Sequence, residues 1–205
     1  MNRKPLERTE HPVQYVLSRA WQRRDEVALE HFSLQSMHGH LLLSGQITSV
    51  MNHAPSFVNY SVACDQNWGT REAHVHMNSG GVPSLVRLLR RDDGQWQVDG
   101  EDREDLNGAI DLDVQWTPAT NSLPINRLQL KVGETRHVEA AWVRLPEMRV
   151  ERLSQRYTRL RENVYHYQNS DGSFEAELIV DDQGFVERYG DVWECIGKSW
   201  SGRVS

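Results

Sequence analysis

The chain has 205 residues, with 23 Lys and Arg against 29 Asp and Glu; the resulting charge of −6 argues for solubility and against a general nucleic-acid binder. Two cysteines are too few for a disulfide scaffold or a cysteine zinc site, and no apolar run exceeds the four residues Ala140 to Val143, which excludes a membrane-spanning helix. Residues 1–8 are charged and lead into no apolar stretch, so no secretory signal and a cytoplasmic location are expected. Length favours a single domain over 1–205, headed by a flexible polar arm over 1–12.

Beyond the arm, short runs of strand-forming residues follow one another. His40–Thr48, Ser56–Val62 and Thr70–Met77 come first, then Ser84–Arg90, Gln95–Val98 and Asp111–Trp116. Arg127–Val132 alternates Leu128, Leu130 and Val132 with Arg127, Gln129 and Lys131, the period of a half-buried antiparallel strand. Thr135–Leu145, Asn163–Gln168, Phe174–Val180 and Phe185–Tyr189 complete the set. Val150–Arg161 fits either a short helix or a strand with a bulge. Arg91-Asp92-Asp93-Gly94, Asn169-Ser170-Asp171-Gly172 and Asp181-Asp182-Gln183-Gly184 separate apolar runs as hairpin turns do, because Asp tolerates and Gly favours the left-handed region. Many short strands joined by tight turns predict a mainly β protein, its sheet curled into a sandwich or barrel.

Several groups of residues could carry chemistry. Asp111 and Asp113 share a strand face about 7 Å apart, a spacing open to acid–base work, to a cation, or to plain hydrogen bonding with loop amides. Thr117-Pro118-Ala119-Thr120-Asn121-Ser122-Leu123-Pro124 is a polar turn between prolines whose side chains can cap backbone groups or hold sugar hydroxyls. His38 with His40 and His74 with His76 are His-x-His pairs, but no third ligand stands at a metal spacing, so no metal is expected. No nucleophile elbow, phosphate loop or dinucleotide fingerprint occurs, and no cofactor is expected. Trp68 with Arg71, Tyr157, and Tyr165 with Tyr167 offer rings with polar tips, suited either to a core or to a pocket for an amphipathic ligand.

Asp65-Gln66-Asn67-Trp68-Gly69-Thr70-Arg71, Asp111-Leu112-Asp113, Thr117 to Ile125, and Gln155-Arg156-Tyr157 together resemble a bacterial glycolipid-binding family catalogued as a domain of unknown function. Phe174-Glu175-Ala176, Val180-Asp181, Gly184-Phe185-Val186 and Tyr189 fit it too, so the likeness runs from about Ser18 to Trp193. Asn126 stands where the family string carries Arg, with Arg127 next. The resemblance implies a single large curled antiparallel sheet, a half-open or closed β-barrel resembling bacterial lipoprotein carriers.

It also implies a non-enzymatic protein that binds a lipid or glycolipid in an apolar cavity on the concave sheet face. The candidate ligand-binding residues are then Trp68, Arg71, Asp111, Asp113, Thr120, Asn121, Arg127, Tyr157, Tyr165 and Tyr167. Two alternatives stand beside it: a hydrolase acting on a carbohydrate or ester through the Asp pair, and a homodimer with no small ligand.

Overall fold

The computed structural model describes residues 14–201 apart from 38. The expected arm over 1–12 and His38 of the first histidine pair lie outside the described residues. Fifteen strands form among the described residues: β1 (Gln14–Arg23), β2 (Ala28–Met37), β3 (His40–Met51), β4 (Ala54–Cys64), β5 (Thr70–Ser79), β6 (Val82–Arg90), β7 (Trp96–Val98), β8 (Glu101–Asp102), β9 (Asp111–Val114), β10 (Thr135–Arg144), β11 (Arg149–Arg161), β12 (Val164–Asn169), β13 (Glu175–Val180), β14 (Val186–Tyr189) and β15 (Trp193–Trp200). All belong to one sheet in the order β8-β7-β6-β5-β4-β3-β2-β1-β15-β14-β13-β12-β11-β10-β9. The protein is mainly β, and the sheet is a meander whose first and last strands meet in its middle.

The turns work as their residues predict. Asp93, Asp171 and Asp181 each accept a hydrogen bond from the backbone N–H two residues on, at 2.9–3.0 Å. Gly94, Gly172 and Gly184 then take φ between 74° and 85°, a region closed to most side chains. Between turns, side chains alternate: Leu41, Leu43, Ile47 and Met51 of β3 are buried while Leu42, Gln46, Thr48 and Val50 face outward.

The concave face of β1–β6 is covered by its own side chains. Trp21, Phe32, Leu34, Leu43, Ile47, Val58, Val62 and Val75 have no exposed surface, and Trp96, Leu106, Val114 and Leu123 extend the same cluster. Each such side chain contributes about 1.5–3 kcal/mol by leaving water. No continuous ladder joins the edge strands β8 and β9. Individual bonds stitch the gap: Thr70 N donates to Ile110 O at 3.2 Å, Leu112 N to Thr70 Oγ1 at 3.2 Å, and Trp96 Nε1 to Ala109 O at 3.0 Å.

Three details depart from the sequence expectations, and one open alternative is decided. β9 runs parallel to β10, the one parallel pair among thirteen antiparallel ones. The strands β1, β2, β8 and β15 were not anticipated; β1 and β15 pair from opposite ends of the chain. Val150–Arg161 lies within β11, with a register shift against β12 between Arg159 and Arg161, which is the bulged-strand alternative. The strand expected over Arg127–Val132 is absent. That segment is the end of the short helix α1 (Ser122–Leu128) followed by a loop. Pro124 sits in the first turn, where its missing N–H leaves no bond unmade, and Gln129 ends the helix at φ 43° by donating to Ile125 O. Leu130 is buried but Val132 is 61% exposed, so the apparent alternation does not mark one face.

Candidate functional site

In an antiparallel meander, successive connections alternate between the two ends of the sheet. One end collects the links that precede β2, β4, β6, β11, β13 and β15. A cleft of about 340 Å³ opens there, lined by Arg23, Asp25, Asp113, Trp116, Asn121, Trp142, Tyr167, Phe174, Tyr189 and Trp193, among others. It is the place where aromatic rings and polar side chains from both halves of the sheet converge.

The two aspartates of β9 share a side and meet different fates. Asp111 is 1% exposed, and Arg127 grips both its oxygens, Nε at 3.0 Å and Nη2 at 2.5 Å. Burial pushes its carboxyl up and the Arg127 bonds oppose that push. Asn126 therefore leaves no cation missing: α1 aims Arg127 from its last turn at the buried acid. Asp113 is mostly buried and borders the cleft. Gln155 Nε2 donates to its Oδ2 at 2.5 Å and Thr120 Oγ1 to its Oδ1 at 3.4 Å. Burial raises Asp113 to about 6 against those two bonds.

Behind the cleft, hydroxyl and amide groups are tied into a relay. Gln155 Nε2 also donates to Tyr167 Oη at 3.0 Å, and Tyr167 donates on to Asn169 Oδ1 at 2.8 Å. Tyr157, fully buried beside it, donates to Asn121 Oδ1 at 2.8 Å. The rings of Tyr157, Tyr167, Tyr189 and Phe174 stand 5.2–6.1 Å apart in tilted and edge-on contacts. The Thr117–Pro124 turn does cap backbone groups, Thr117 Oγ1 accepting from Ala119 N at 3.0 Å, yet the whole segment is buried.

A second network, unforeseen in the sequence, supports the opposite wall. Glu30 of β2 is 2% exposed, and its Oε1 accepts from Tyr60 Oη at 2.5 Å and from Thr117 Oγ1 at 2.7 Å. Burial lifts Glu30 to about 8, so it is chiefly protonated at neutral pH. Tyr60 crosses β3 at Gly45, where a Cβ would lie 2.2 Å from the ring. Thr117 in turn anchors Trp116, which holds φ 76°, and the Arg23 guanidinium stacks 4.1 Å from the Trp116 ring centroid.

Of the ten candidates, Asp113, Asn121 and Tyr167 line the cleft, while Thr120, Tyr157, Asp111 and Arg127 brace it from behind. Trp68, Arg71 and Tyr165 are placed elsewhere. The β4–β5 connection lies at the other end of the sheet, where Trp68 packs edge-on against Phe185 at 6.1 Å and Arg71 bonds Asp65 and Asp92. Tyr165 is buried, with Arg159 over its ring at 5.6 Å. Arg23, Trp116, Trp142, Trp193, Tyr189 and Gln155 were missed as site residues. Gln155 and Tyr189 were marked only by the family motifs, and Arg23, Trp116, Trp142 and Trp193 only by their places at or near strand ends.

Comparison with known proteins agrees with this architecture. No curated protein matches the chain. A solved β-barrel-like protein of unknown function from Brucella abortus, of the DUF1849 family, superposes with TM-score 0.54 over 93% of this chain and all of its own. Its 9% identity makes it a likeness of fold alone. A DUF1089 family protein from Pseudomonas aeruginosa is 31% identical, covering 82% of this chain and 91% of its own, with TM-score 0.72. Residues 18–195 match the family described as "Putative glycolipid-binding", and the chain belongs to that family.

Proposed function

We propose that the protein binds the sugar head group of a glycolipid, without catalysis, in the aromatic-walled cleft at the β1–β2 end of the sheet. The observation that carries this reading is the composition of that cleft: indole and phenol faces from Trp116, Trp142, Tyr167 and Tyr189 beside the polar groups of Asp113, Asn121 and Asn169. Rings stack on the C–H faces of a pyranose while carboxylate and amide groups take its hydroxyls. The family description supports the ligand class. The burial of Trp21, Phe32 and Leu43 on the concave face supports an acyl part held outside the sheet interior, in place of the apolar cavity expected there. Holding Asp111 in a bidentate pair takes one carboxylate away from the hydrolase alternative.

Octyl glucoside below its micelle concentration is the first probe. Tryptophan emission is expected to change and saturate, and Trp142→Ala is expected to weaken binding by about 1 kcal/mol, the worth of one stacked ring. A flat titration with folded protein, checked by circular dichroism, defeats the reading.

A further inference from the structure

Three aspartates stand in or beside the cleft, and two of them bring their own cation. Asp111 has Arg127, and Asp25 has Arg23, whose Nε lies 2.7 Å from Asp25 Oδ1. Asp113 has none among the described residues. Its two bonds come from the amide of Gln155 and the hydroxyl of Thr120, both neutral. The Arg23 guanidinium lining the cleft is engaged by Asp25 and Glu26 and by the face of Trp116, and Arg144, over the Trp142 ring at 5.1 Å, is engaged by Glu151. Asp113 therefore puts an uncompensated negative charge on the cleft wall, in the company of Trp116, Trp142, Tyr167 and Tyr189.

That pairing has a definite chemical complement. A cation is drawn to the faces of indole and phenol rings by their quadrupoles, and to a carboxylate by a charge-assisted hydrogen bond. A neutral sugar satisfies the rings but leaves the charge without a counterpart. We propose that the head group this cleft selects bears an ammonium, as an amino sugar does, with the ammonium on Asp113 and the ring carbons against the aromatic wall. The inference rests on the head-group reading above and adds the charge to it.

Gln155 fixes the orientation of Asp113 through Oδ2 and leaves Oδ1, only loosely approached by Thr120, to receive a ligand donor. Asp113 titrates at about 6, so it is chiefly ionised at neutral pH. Binding an ammonium there would hold the carboxylate ionised to lower pH.

D-glucosamine, N-acetyl-D-glucosamine and D-glucose separate charge from shape, because acetylation removes the charge and keeps the ring. In tryptophan-fluorescence titrations of the full chain at neutral pH, glucosamine is expected to bind about ten- to hundredfold tighter than either neutral sugar, the worth of one charged hydrogen bond. Asp113→Asn, which keeps the side-chain volume, is expected to bring the three to near equality. Equal affinities in the native protein overturn the ammonium proposal while leaving the saccharide reading in place. Failure of all three to bind folded protein overturns both. If Asp113→Asn does not fold, the native protein still decides: the glucosamine advantage should fade as pH falls through about 6, with N-acetylglucosamine unaffected, and an advantage that persists well below that pH sinks the proposal.

Discussion

The inner faces of β1–β6 and of β9–β14 are built from different chemistry. On the first, Phe32, Leu34, Leu43, Ile47, Val58, Val62 and Val75 meet one another, with Arg19 and Glu30 as the buried charged-type exceptions beside Ser49, Ser56 and Thr70. On the second, Asp111, Gln155, Tyr157, Tyr165 and Tyr167 are buried together, and helix α1 is packed among them. Apolar contacts are non-directional, so the first wall tolerates exchange of one aliphatic residue for another of similar volume. Polar groups must be matched one to one, so in the second wall Asp111, Gln155, Tyr157 and Tyr167 each have a specific partner, and losing one strands the other. The lesson is that the first wall rests on filled volume and the second on matched polar partners. The cleft opens where the two meet, between Arg23 of β1 and Asp113 of β9.

The sharpest way to break this contrast is Arg127→Met. It leaves Asp111 buried without its cation and should cost about 3–5 kcal/mol in urea unfolding. Adding Asp111→Leu should recover most of that loss, because an apolar pair needs no charge partner. A loss under about 1 kcal/mol for the single change would mean that the second wall is not wired as described.

Leu43→Ala probes the first wall. It is expected to cost about 2–5 kcal/mol through lost burial and the cavity left behind, with sugar affinity unchanged. Weakened binding at full folding would show that the two walls are coupled.

A third effect, smaller over any single pH unit, concerns Glu30 in the first wall. Glu30 is raised from 4.5 to about 8, so between those values the unfolded carboxyl has lost its proton while the folded one keeps it. Stability should then fall as pH rises through that window, by up to about 1.4 kcal/mol per pH unit. Glu30→Gln, which stays neutral and can still accept from Tyr60 and Thr117, should flatten the slope. An unchanged slope would place Glu30 in a more solvated setting than its burial indicates.

Period-two alternation and Asp-Gly turns made the class of fold and most strands readable from the residues, because those signals are local and each hairpin is a local object. The facing of Asp111 and Asp113 to one side was readable for the same reason, and so was the capping role of Thr117. The alternation at Leu128, Leu130 and Val132 misled because a helix end and the loop after it can carry the same pattern, and only the packing of α1 against β9 decides between them. Pairing of β1 with β15 and the parallel docking of β9 on β10 join segments distant in the chain, which no local pattern encodes. The same holds for the site. Side chains as far apart in sequence as Arg23, Asp113, Trp142 and Tyr189 become neighbours only when the sheet curls. Trp68 and Arg71, quoted in the same family motifs as Asp113, end at the opposite mouth because connections in a meander alternate between its ends. Residue types and spacing determined which chemistry was present. Only the tertiary structure decided that Arg127 neutralises Asp111 and leaves Asp113 uncompensated, because charge compensation depends on distances across the sheet.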